Sequence, residues 1–200
     1  MTLSRRPGLL PALAAALAMA ATACGTQEPR RPATAATTAT PSPTPTACRP
    51  TAPSKTPKGG LPDPQDIDRR DATAVARAAV TVMWTVDSAI DRGQRDAYLR
   101  ACPYLTADYA ARVAAEQAVG PLPQQWRDHR AYAEVSLELR QPEGDLDPDT
   151  PTMAYRQWQV TVTPTGRDEW KGRTVRAIAF VTLTRPSPDA PWQVSRVTTA

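Results

Sequence analysis

Asp87 and Asp91 stand four residues apart, the spacing that places two carboxylates one turn apart on a helix face. Inside a cavity such a pair could share a proton and serve as acid and base. With Arg92 and Arg95 beside them, a solvated helix face is the expected setting. The chain has a single histidine, His129, which follows Asp128 between Trp126 and Arg130. A His or Asp at that point could act as a general base, but polar neighbours favour a surface pair. Asp145, Asp147 and Asp149 alternate like the start of a calcium loop, which needs glycine at position six and a carboxylate at position twelve. Thr150 and Arg156 occupy those positions, so a solvated loop is expected. No zinc spacing, glycine-rich phosphate loop or nucleophile elbow occurs. Of the five tryptophans, Trp84, Trp158 and Trp192 are expected in the core. Trp170, between Glu169 and Lys171 near a turn, is the better candidate for an exposed contact. The candidate pocket or interface residues are therefore Trp84, Asp87, His129 and Trp170. No catalytic residue, metal or cofactor is expected.

The elements that must position these residues show two periods. Behind Asp71, a suitable N-cap, Ala72, Val75, Ala76, Ala79, Val82, Met83, Val86 and Ile90 recur at steps of three and four. The stripe predicts a helix of about 21 residues ending at Gly93. A second helical stretch runs from Gln94 to Cys102 until Pro103, and Thr106 caps a third that ends at Gly120-Pro121. After Pro123 the period falls to two. Strands are expected around Ala133–Leu139, Met153–Thr163, Arg173–Thr184 and Trp192–Thr199, with a hairpin turn at Thr165–Asp168. In the third strand Val175, Ala177, Ala179, Val181 and Leu183 face one way and Ile178 and Phe180 the other. Helices followed by an antiparallel meander make an α+β domain. The expected form is a long N-terminal helix plus shorter helices packed on a curved four-stranded antiparallel sheet.

Charge divides the chain. Residues 1–60 carry seven Lys/Arg against one Asp/Glu, whereas residues 61–200 carry 17 against 19. The folded part is mildly acidic and has no electrostatic footprint for nucleic acid. From Gly25 to about Pro64 the chain is Thr, Ala and Pro, a composition that cannot offset the entropy of ordering, and a disordered stalk is expected. At roughly 3.1 Å per residue it could extend about 120 Å. Arg30, Arg31, Arg49, Lys55 and Lys58 could lie along anionic headgroups or wall polymers, or simply keep the stalk soluble.

Arg5 and Arg6, the apolar run Pro7–Ala20 and Ala21-Thr22-Ala23-Cys24 have the layout of a secretory signal. The run of about 14 residues is short of the ~20 needed to span a bilayer. The stretch resembles a bacterial, actinobacterial-type lipoprotein signal. The resemblance implies cleavage before Cys24, acylation of Cys24 by palmitate-type chains, and anchoring at the extracytoplasmic face of the cell membrane. With Cys24 lipidated, Cys48 and Cys102 remain in a compartment that permits disulfides. A Cys48–Cys102 bridge would pin the tail to the domain; a buried, unpaired Cys102 is the alternative.

The element order, with Trp84 in the first helix, Tyr104-Leu105-Thr106 before the third and Trp192-x-Val194 in the last strand, resembles the nuclear-transport-factor-two-like fold over about Asp68–Thr199. The expected organisation is a signal peptide at 1–23, a lipid-anchored linker at 24–65 and a cone-shaped domain at 66–200. Domains resembling this one serve as scaffold subunits of conjugation and secretion machines and as accessory subunits of lipid transporters. That implies a non-enzymatic module with an envelope protein partner. Other members of the fold bind or isomerise small apolar ligands, the second expectation.

Overall fold

A computed structural model describes residues 56–116, 121–141 and 148–200. All belong to one compact unit. The leader, Cys24, Cys48 and the Thr/Pro-rich run lie outside the described residues. The first helix, α1, spans Ala72–Trp84, and the Asp71 carboxylate caps it by accepting from the Thr73 amide. Helix α2 covers Gln94–Arg100 and leads into a 3-10 turn at Cys102–Tyr104. Helix α3 covers Ala107–Ala115, with the Thr106 hydroxyl accepting from the Tyr109 amide. A five-residue helix, α4, at Gln124–Asp128 was not expected from the sequence.

Four strands follow: β1 Tyr132–Arg140, β2 Met153–Thr165, β3 Val175–Thr184 and β4 Gln193–Thr199. They form one antiparallel sheet in the order β1-β2-β3-β4. Period-two alternation sends one set of side chains to each face. Trp158, Val160, Ala179, Val181, Leu183 and Val194 are buried on the face covered by α1, which touches all four strands. On the other face Ile178 is half-buried and Phe180 is exposed, as the alternation requires. The α+β class and the single four-stranded meander follow from the two periods.

Helix α1 is 13 residues long and stops at Trp84, well short of the stripe that runs on to Ile90. Periodicity alone cannot see the reason. Residues 86–88 are drawn out to pair with the start of β1: the Ala133 amide donates to Val86 O, and Ser88 donates to Ala131 O. The carbonyls freed at the helix end are taken up by distant side chains. Gln94 Nε2 donates to Met83 O, and Arg100 Nη2 donates to Thr85 O at 2.6 Å.

Residues 56–65, assigned by composition to the linker, run along the domain. Pro57 is buried, Leu61 packs on the core, and the Tyr104 hydroxyl donates to Pro62 O at 3.1 Å.

Candidate functional site

The exit of α1 brings Asp87 and Asp91 into the interior, not onto the solvated face expected for them. Their partners are neither Arg92 nor Arg95. Arg167, from the β2–β3 hairpin 80 residues on, donates Nη2 to Asp87 Oδ2 at 2.7 Å and Nη1 to Oδ1 at 3.0 Å. The backbone amides of Lys58 and Ala89 complete the shell at 2.9 and 3.0 Å. Burial by itself would raise the Asp87 pKa, but the bonds from Arg167 and the two amides outweigh it and hold the carboxyl below its usual value. Asp91 is paired with Arg100 through both of its oxygens and accepts the Asp87 amide at 2.8 Å. The two carboxylates do not pair with each other; each is held by its own guanidinium. One corner thereby joins the residues leading in from the linker, the end of α1, α2 and the β2–β3 hairpin.

His129 is likewise separated from its sequence neighbour. Asp128 accepts from Gln124 Nε2 at 2.6 Å. His129 Nδ1 lies 2.7 Å from Asp168 Oδ2, and its ring stacks on Trp170 with centroids 4.5 Å apart and planes 3° from parallel. The bond to His129 holds the Asp168 carboxyl below its usual value. The hairpin fits because Gly166 has no Cβ, which would come 3.0 Å from Trp170 Cβ and 3.1 Å from His129 Cβ. Trp170 is thus half-buried against His129, not a bare surface ring. The cluster lies at the surface, and its residues are not among those lining the groove beside α1.

Trp158 and Trp192 are in the core, while Trp84 is half-buried and tilted against Tyr98 at 5.9 Å. Cys102 is in a disulfide. Cys24 and Cys48, the other two cysteines, lie outside the described residues. Of the acidic loop, Asp145 and Asp147 lie outside them too, and Asp149 is spent on Arg156 at 2.8 Å. No group of metal-ligating side chains and no helix long and apolar enough to cross a membrane occurs among the described residues.

The recess that does exist holds none of the four expected residues. It is an open groove of about 600 Å³ beside α1. Ala74 and Ala78 form its helical wall, and Ile67, Leu137, Leu139 and Trp158 supply most of the rest. Asp71, Thr73, Arg77 and Thr81 contribute the polar groups. Leu139, expected in the half-buried stripe of β1, is 48% exposed here. Among the described residues the buried Trp158 indole N–H has no acceptor. The groove draws on three stretches of chain, and its only sequence signal is the pair of small residues, Ala74 and Ala78, on that flank of α1. Neither protein-family models, nor curated proteins, nor solved structures show a match to this chain.

Proposed function

We propose that this protein is a lipoprotein held through Cys24 at the extracytoplasmic face of the membrane, its domain acting as a non-enzymatic binding or assembly module of an envelope complex. The conjugation, secretion or lipid-transport type of complex is the one the resemblance suggests. In this reading the domain is a cone of the nuclear-transport-factor-two-like kind with α1 across a curved sheet. Cys102 pairs with Cys48, because Cys24 is taken by lipid. The observation that carries the reading is the state of Asp87 and Asp91: both are locked by guanidinium groups, so the interior acids serve the fold. The test is fractionation of cells followed by sizing of gently solubilised membranes. The native chain should remain with membranes and run in a complex larger than a single chain; Cys24→Ala should be released by washing. A washed-out native chain, or a membrane-bound one that runs alone, overturns the reading.

The groove favours a second reading, a small-ligand-binding protein of the same fold. Its volume falls within the ~300–1,000 Å³ usual for such sites. Its lining calls for binding more than for catalysis, since Asp87 and His129 are elsewhere.

A further inference from the structure

We propose that the groove beside α1 binds an amphiphilic anion, its alkyl or isoprenoid chain lying along Ala74 and Ala78 against Leu137, Leu139 and Trp158, and its anionic head on Arg77. The proposal rests on the ligand-binding reading and names the ligand's chemistry.

The walls select the body of the ligand. Apart from one indole and a polar fringe of Asp71, Thr73, Arg77 and Thr81 they are aliphatic, and each threonine hydroxyl already has one bond. Thr73 Oγ1 accepts from Arg156 Nε at 2.7 Å, and Thr81 Oγ1 donates to Arg77 O at 2.8 Å. A sugar or a peptide backbone brings many donors and acceptors, which such a surface would leave unpaired at a cost. A hydrocarbon chain brings none. Leu139, left half-exposed in the groove, is the kind of surface a chain would cover.

The charges select the head. Among the described residues the Arg77 guanidinium has neither a carboxylate partner nor a hydrogen bond, whereas the nearby Arg156 is paired. Arg156 is held by both oxygens of Asp149. Asp71 caps the helix by accepting the Thr73 amide through Oδ1 and keeps its negative charge. Asp71 also sits six residues before Arg77, about 9 Å away along the helix axis, so its charge does not cover the same spot. An unpaired guanidinium at the rim of an apolar groove is a receptor for carboxylate or phosphate.

The full chain, reconstituted in nanodiscs of neutral phosphatidylcholine, can be titrated with stearate carrying a nitroxide on its chain while tryptophan fluorescence is followed. Saturable quenching is expected, lost in Trp158→Phe and in Ala74→Phe, whose ring would fill the groove. Arg77→Gln should weaken it about tenfold, as should replacing the acid by its methyl ester. Because Arg77 is exposed, Arg77→Gln should leave the fold intact even if Ala74→Phe does not. A second arm uses nitroxide-labelled phosphatidylglycerol in the disc with no added acid. Quenching there identifies a bilayer lipid as the source, quenching by stearate alone identifies a free amphiphile, and either supports the proposal. Equal quenching by acid and ester overturns it while leaving a neutral-ligand pocket. Absence of saturable quenching by any probe removes both. A protein, in place of lipid, captured from intact membranes by a photoreactive residue at position 139 also overturns the proposal.

Discussion

The corner around Asp87 and Asp91, just past the end of α1, and the groove beside α1 differ in polarity and in exposure. The corner is charged and sealed. Its carboxylates, guanidiniums and amides are matched nearly one to one, and little there is left to offer a ligand. The groove is largely apolar and open, and the Arg77 guanidinium at its edge has no partner among the described residues. Residue types that usually announce chemistry are therefore the ones holding this fold together. Residues that usually announce nothing, Ala74, Ala78 and Leu139, shape an open recess of about 600 Å³. The lesson is that a titratable group signals function only when its partners leave a valence free.

The contrast can be broken most forcefully at Asp91. Asp91→Ala strands the nearly buried Arg100 guanidinium and should cost about 3–5 kcal/mol in denaturant unfolding. A loss under about 1 kcal/mol would show that the corner does not depend on its ion pairs. Acid should find the same corner. The Asp87 carboxyl titrates lower in the folded chain than in the unfolded one, so its contribution is complete above the ordinary value of 3.8 and is lost as pH falls below it. The melting temperature of the native chain should drop in that window, and the drop should shrink in Asp87→Asn.

The His129–Asp168–Trp170 cluster is polar like the corner but exposed like the groove. His129→Ala should cost no more than about 1 kcal/mol, as exposed pairs generally do. A loss as large as that of Asp91→Ala would mean that exposure is not what separates the two regions. The smallest effect belongs to the groove: Leu139→Ser should change stability by less than about 0.5 kcal/mol while weakening any apolar ligand. A large loss of stability there would show that Leu139 already does the work of a core residue.

Much of the framework was legible. Strand alternation located all four strands, and the caps at Asp71 and Thr106 were readable because a cap needs only its own next few residues. The α4 turn and the end of α1 were not, since the first is too short to show a period and the second is decided by β1. The candidate residues fared worse. Asp87, Asp91 and His129 were visible as residue types, but Arg167 and Asp168 lie 80 and 39 positions away from the partners they meet. No spacing rule reaches that far.

The amino-acid sequence by itself determined where apolar faces recur and where the chain turns, and hence an α+β class with a four-stranded meander, because those depend on neighbours three, four or two residues apart. The tertiary structure alone decided which charges were spent and which was left open. Packing brought Arg167 and Arg100 onto the two carboxylates and brought no partner to Arg77 among the described residues, and charge pairing is a property of distance in space.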